Sequence, residues 1–163
     1  MHRGFLVTIT TALVLAGCQG GGGTATGPGQ GVFALQAQGA ARGGEARVTM
    51  RSLPSAGAIV TLVGRLSFDA DRLAVTGCAL APKVKDVVTA KALHWAQPRP
   101  GTVRAVVVGG LDALPAETDV VTCTFTVKAD APRGATTVRA DGDVSDTTLH
   151  ERVYSAQTTL EVQ

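Results

Sequence analysis

The chain has 163 residues, which predicts one domain, and a formal net charge of +2, which is too small to predict a nucleic-acid partner. No run of Lys and Arg interleaved with aromatic residues is present in the sequence for a phosphate backbone to contact. Aromatic residues make up only 4% of the chain, whereas Val, Thr, Ala and Gly are plentiful, and this composition favours an all-β domain.

Residues 1–17 are typical of an export signal. The basic start Met1-His2-Arg3 precedes an apolar run, Phe5 to Ala16, that is too short to span a bilayer as a lasting helix. The run ends in Leu15-Ala16-Gly17-Cys18, which resembles the lipobox of bacterial lipoproteins. That resemblance implies cleavage before Cys18, a lipid on Cys18 and anchoring to a membrane. Gln19 favours the outer membrane, if the source has one.

Residues 18–31 are rich in Gly and predict a flexible tether. A phosphate-binding loop is not expected there, because no Lys-Ser or Lys-Thr pair follows the glycines. The folded domain is therefore predicted to span residues 32–163.

Alternation of apolar and polar residues predicts strands within the domain. From Leu62 to Phe68, every second side chain is apolar or Gly and is expected to face inward, while Val63, Arg65 and Ser67 face outward. An acidic turn at Asp69-Ala70-Asp71 separates this strand from a short one at Leu73 and Val75. The remaining predicted strands are Val32–Ala37, Ala46–Leu53, Thr102–Val108, Asp119–Lys128, Ala135–Ala140 and Val153–Val162.

The region from Ala79 to Gly101 is the least regular part of the sequence. A short helix across Val84–Ala92 and a loop with a brief strand both fit its composition. With no long helical pattern elsewhere and Gly and Pro turns between the strands, the chain predicts a β-sandwich.

Four short motifs between Arg47 and Gln163 resemble bacterial cohesin domains and related cellulose-binding modules. They are Phe68-Asp69, Leu73-Ala74-Val75, Phe125-Thr126-Val127 and Ala131-Pro132-Arg133-Gly134. The resemblance implies a two-sheet, jelly-roll sandwich of about nine strands that is not an enzyme and needs no cofactor. Cohesins bind dockerins, so a dockerin-like protein or another envelope component is the expected partner, and polysaccharide is the alternative because the related modules bind it.

Carried over by position, the partner-binding face would consist of outward residues from three strands. These are Val63, Arg65, Ser67, Arg104, Val106, Val108, Thr122, Thr124 and Thr126. Arginine forks, hydroxyls and exposed valines suit a protein partner, although the same pattern also fits an ordinary solvent face of a sheet. For carbohydrate, the candidate contacts are Trp95 and Tyr154, with Trp95 equally able to cap the core.

Cys78 and Cys123 remain once Cys18 is assigned to the lipid, and in an exported domain they suggest one disulfide. Two buried free thiols are the alternative. Metal binding is not expected, because the sequence has no CxxC motif to supply ligands.

No catalytic residue is predicted. Asp141 to Asp146 has three carboxylates, but the spacing differs from a Ca²⁺-binding loop and favours an acidic β-turn. Asp69 and Asp71 occupy one turn and have no evident partner carboxylate, and no nucleophile motif accompanies His94 or His150.

Overall fold

The computed structural model describes residues 24–25, 31–87 and 91–163. Strands dominate it, and two short helical segments interrupt them: a 3₁₀ turn at Pro54–Ala56 and α1 at Pro82–Val87. The strands are β1 (Thr24–Ala25), β2 (Phe33–Gln38), β3 (Glu45–Ser52), β4 (Ile59–Ser67), β5 (Leu73–Leu80), β6 (Ala92–Arg99), β7 (Thr102–Val108), β8 (Asp119–Val127), β9 (Gly134–Asp146) and β10 (Glu151–Val162).

The strands form two antiparallel sheets packed face to face. Sheet A has the order β1-β10-β9-β4-β7-β6, and sheet B has the order β2-β3-β8-β5. Nine of these strands have six or more residues, whereas β1 adds only two residues to one edge of sheet A. The predicted all-β sandwich of about nine strands is confirmed.

The core lies between the sheets and is built by the predicted alternation. In β4, Leu62 and Leu66 are buried while Arg65 is exposed, and in β8 the inward side chains include Cys123 and Phe125. The rings of Phe68 and Phe125 meet edge-on at 5.0 Å between centroids. Among the described residues, the core extends from Val32 to Val162.

Strand β6 lies in the region from Ala79 to Gly101, for which the sequence did not distinguish between a short helix and a loop with a brief strand. α1 covers only the start of that region, and β6 follows as the free edge of sheet A. Seven of the eight residues of β6 are exposed, so burial imposes no alternation of apolar and polar side chains on this strand. This is why the sequence pattern gave only a weak indication of a strand.

The prediction of an acidic turn from Asp141 to Asp146 is wrong. These residues continue β9, which pairs with β4 on one side and β10 on the other. Gly142 makes this close pairing possible, because a Cβ at that position would collide with the backbone carbonyl of Val63. The hairpin turn follows instead, where Asp146 Oδ1 accepts hydrogen bonds from Thr148 N at 2.8 Å, Thr148 Oγ1 at 2.6 Å and His150 N at 3.1 Å.

Two residues of the predicted tether take part in the fold, since Thr24 and Ala25 pair with Thr158 and Gln157 of β10. The predicted export signal, Cys18 and the other tether residues before Gly31 lie outside the described residues. Among the helices that the structure describes, none has the length and apolar character needed to cross a membrane.

Candidate functional site

The nine residues of the predicted partner-binding face do not share one surface. Strands β4 and β7 are neighbours in sheet A, and their outward residues lie side by side. Strand β8 belongs to sheet B, so Thr122, Thr124 and Thr126 lie on the opposite outer face of the sandwich. The grouping of three strands is therefore wrong, because sequence alternation gives inward and outward positions but does not tell which sheet a strand joins.

Two rows of side chains cross the outer face of sheet A. The charged row places Asp141, Arg65 and Arg104 on neighbouring strands. The apolar row, one pleat away, consists of Val153, Val63, Val106 and His94, with Asp143 between the first two. Of the other predicted residues, Ser67 lies beside Thr102 at one end of this face, and Val108 lies beside Ala92 at the other.

The two arginines of the charged row have different environments. Arg65 binds Asp141 with two hydrogen bonds, from Nη2 to Oδ2 at 2.7 Å and from Nε to Oδ1 at 3.4 Å. Both side chains are about half exposed, so this ion pair contributes at most about 1 kcal/mol to stability. Arg104 lies directly opposite Arg65 and has no carboxylate within ion-pair distance among the described residues.

A shallow groove of about 350 Å³ runs between these rows. Its lining includes both arginines, Val63, Asp143 and Pro98 of the edge strand. The groove therefore offers cationic, anionic and apolar groups within one concave surface. Such a mixture is typical of protein interfaces, in which polar contacts surround a drier centre.

The outer face of sheet B differs because its charged groups are paired with one another. Arg47 binds Glu45 at 2.7 Å and Arg51 binds Asp119 at 3.0 Å. Thr49 and Thr122 share a hydrogen bond of 3.1 Å between their hydroxyls. This face matches the ordinary solvent face that the threonine-rich pattern also predicted.

Tyr154 cannot contact carbohydrate as the sequence suggested, because only 1% of it is exposed. Its ring meets Phe33 edge-on at 5.0 Å, and its hydroxyl lies beneath Gly64. That hydroxyl has no hydrogen-bond partner among the described residues. Burial raises the pKa of Tyr154, and the carboxylates of Asp141 and Asp143 raise this pKa further.

Trp95 lies on β6 and is 40% exposed. Its register partner is Ala105, which in turn pairs with Gly64, and both of these residues line an apolar cavity between the sheets. Trp95 therefore belongs to the row that faces the core, at the open edge of sheet A. A lone aromatic residue in this position is not the planar row of rings that a polysaccharide platform needs.

Cys78 and Cys123 form a disulfide between β5 and β8, where they are direct register partners. The prediction of one disulfide agrees with this geometry, and the alternative of two free thiols does not. The bridge closes a loop across 45 residues of sequence. It holds the edge strand of sheet B to its neighbour.

Lys91 is a structural residue that the sequence did not indicate. Its buried ammonium donates hydrogen bonds to the backbone carbonyls of Val60, Gly109 and Gly110 at 2.6–2.8 Å. Burial lowers the pKa of Lys91, and the nearby carboxylate of Asp112 partly opposes this. Across the described ranges, no group of three or more His, Cys, Asp or Glu side chains could hold a metal ion.

Comparison with solved structures finds cohesin modules. The sixth cohesin of scaffoldin B from Acetivibrio cellulolyticus, in complex with a Cel5 dockerin, is 15% identical with a TM-score of 0.64, covering 80% of this chain and 99% of that one. A cohesin module from a family 33 glycoside hydrolase of Clostridium perfringens is 10% identical with a TM-score of 0.67, covering 81% and 97%.

A non-cellulosomal cohesin from the archaeon Archaeoglobus fulgidus is 12% identical with a TM-score of 0.57, and the match covers 77% of this chain and 87% of that one. No protein-family model and no curated protein matches the chain. The chain has the cohesin fold, as the sequence motifs predicted.

Proposed function

We propose that this chain is a non-catalytic, lipid-anchored envelope protein whose cohesin-fold domain binds a protein partner through the outer face of sheet A. The observation that carries the proposal is Arg104, which has no ion-pair partner among the described residues and lines a groove beside a partly exposed row of valines on a cohesin fold. The fold supports the class of function, and the side chains support the choice of face.

The apolar row supplies the dry part of the proposed contact. Val153 is 76% exposed, and Val63 and Val106 extend the row toward the free edge at β6. Water leaves these side chains when a partner covers them, which favours association in proportion to the apolar area buried. The charged row flanks them on one side, as the polar rim of a protein interface does.

Arg104 supplies the specificity. Two guanidinium groups directly opposite each other on neighbouring strands repel, and of these two arginines only Arg65 is paired with a carboxylate of the described residues. A partner carboxylate placed over Arg104 would relieve that repulsion and form a charge-assisted hydrogen bond. We therefore expect the partner to present an acidic side chain to Arg104 and apolar side chains to the valines.

A dockerin-type module is the partner class that the comparisons favour. Several of the matching cohesins were solved in complex with dockerins, among them the scaffoldin B cohesin and a cohesin from Clostridium thermocellum. Anchoring through a lipid on Cys18, with Gln19 favouring the outer membrane, would place this interaction at the cell envelope.

The test is a pull-down from envelope extract with residues 24–163 as bait, alongside binding measurements with purified dockerin modules and an insoluble-polysaccharide retention assay. The charge reversal Arg104→Glu should weaken binding of the captured protein by at least about tenfold, because the like charges of the variant and the partner repel. The matched control, Thr124→Glu, changes an outward strand position of the opposite face and should bind normally.

If both variants lose binding equally, or if neither loses it, the assignment of the partner-binding face to sheet A is contradicted. Retention on polysaccharide without any protein partner would replace the proposal with the carbohydrate-binding alternative.

A further inference from the structure

The free edge of sheet A differs from the other edges of the sandwich. The opposite edge strand of sheet A, β10, pairs with the two residues of β1 and with Ala40, and it carries charged side chains near both of its ends. In sheet B, the edge strand β2 begins with three buried residues, and β5 has an irregular register between Val75 and Gly77. Strand β6, in contrast, is largely exposed along its length, and among the described residues no strand pairs with its outer row of backbone groups.

The first half of β6 also lacks the charges that normally protect an edge from pairing with another chain. Ala92 to Gln97 contains no Lys, Arg, Asp or Glu. Lys91 directly precedes this segment, but its ammonium is turned inward onto three backbone carbonyls. Protection begins only at Pro98, beside a register irregularity between Ala96 and Arg99.

The residues in the uncharged first half of β6 can pair with the same residues of a second copy of the chain. If two β6 strands pair antiparallel about a two-fold axis at His94, then Leu93 of one copy lies opposite Trp95 of the other, twice. Ala92 lies opposite Ala96 at both ends. Leu93 is partly buried against the core and Trp95 is 40% exposed, so the two Leu–Trp pairs would cover the apolar surface that a single copy leaves open.

We infer that β6 joins two copies of this chain into a dimer by antiparallel pairing of Ala92–Ala96, with Leu93 and Trp95 in contact across the two-fold axis. The interface is isologous, since each contact occurs twice. Because this axis is perpendicular to the sheet, the outer faces of both copies of sheet A point to the same side. The dimer is independent of the proposed partner, but it would present two charged rows side by side.

The experiment is sedimentation of residues 24–163 over a range of concentrations. The unmodified protein is expected to dimerise reversibly. His94→Glu places two carboxylates opposite each other on the axis and should raise the dimer dissociation constant by about tenfold or more, because like charges at a paired position repel. The matched control, Ala74→Glu on the edge strand β5 of the other sheet, should dimerise as the unmodified protein does.

A second variant reports on the pairing directly. In His94→Cys the two introduced thiols face each other across the axis, within disulfide distance for directly opposed strand positions. This variant should form a covalent dimer on oxidation, whereas Ala74→Cys should stay monomeric. A monomer at every concentration, a dimer that survives His94→Glu unchanged, or cross-linking through residue 74 instead of 94 would overturn the inference.

Discussion

At the scale of single residues, Tyr154 packs so closely on Gly64 that no side chain fits at position 64. A Cβ at Gly64 would collide with the hydroxyl of Tyr154, which has no hydrogen-bond partner in the part of the chain that the structure describes. Gly64→Ala should therefore lower the free energy of unfolding by about 1–3 kcal/mol, the usual cost of overpacking. Urea denaturation measures this loss.

A substitution of Tyr154 tests the same contact with Gly64. Tyr154→Phe removes a buried hydroxyl that makes no hydrogen bond, so it should raise the free energy of unfolding by about 1 kcal/mol. In the Tyr154→Phe background, Gly64→Ala should cost less than it does alone, because the colliding atom is gone. A loss of stability in Tyr154→Phe would instead mean that the hydroxyl is bonded in solution.

At the scale of elements, the β9–β10 hairpin is closed by one carboxylate. Three hydrogen bonds lower the pKa of Asp146, the largest effect coming from the hydroxyl of Thr148, followed by the backbone N–H groups of His150 and Thr148. Since the folded pKa lies below the unfolded one, this stabilisation is present above the unfolded pKa of about 3.9 and is lost as the pH falls through the folded value.

Asp146→Asn keeps an acceptor oxygen but no longer titrates. Thermal unfolding between neutral pH and pH 2 should show a smaller loss of stability on acidification for this variant than for the unmodified chain. Asp143→Asn is the matched control, because Asp143 is exposed on the same strand and makes no ion pair among the described residues. Equal acid sensitivity of Asp146→Asn and the unmodified chain would contradict this role.

The bridge between β5 and β8 is the second constraint on an element. Closing a loop across 45 residues restricts the unfolded chain and is expected to contribute about 3–4 kcal/mol. The double variant Cys78→Ala with Cys123→Ala should lose that amount in urea denaturation, and reduction of the unmodified protein should produce a similar loss. If reductant does not change the free energy of unfolding of the unmodified protein, the disulfide does not stabilise the fold.

Strands with one buried face could be predicted from the sequence, and other elements could not. The alternation of Leu62 to Phe68 and of Val121 to Val127 follows directly from the contrast between core and solvent. β6 has no such contrast because it is exposed. β9 contains an Asp-Gly-Asp segment, and these residue types on their own favour a turn. In both cases, pairing with neighbouring strands overrides local preference.

The candidate site shows the same division. The cohesin resemblance predicted that Val63, Arg65, Arg104 and Val106 share one face, and the pairing of β4 with β7 agrees with this. The role of Asp141 as the partner of Arg65, and the separation of Thr124 onto the other sheet, depend on strand order. Alternation within a strand carries no information about that order, so the tertiary structure was needed to find the unpaired Arg104.

At the scale of the whole molecule, the two outer faces have different characters. Within the described part of the chain, sheet A presents an arginine without an ion pair, partly exposed valines and a free edge, whereas the arginines on the outer face of sheet B are paired with carboxylates. A dimer through β6 would place two sheet A faces on the same side. If a partner carries two matching modules, the second contact becomes intramolecular and strengthens the first without any new interaction.

If a protein partner covers the outer face of sheet A, site-specific photo-cross-linking in cells that produce this protein will capture it. A photoreactive residue at Val106 would lie in the apolar row of sheet A, and one at Thr124 would lie on the outer face of sheet B. We expect a defined adduct with another protein from position 106 and none from position 124. Adducts from position 124 alone, or from neither position, would contradict it.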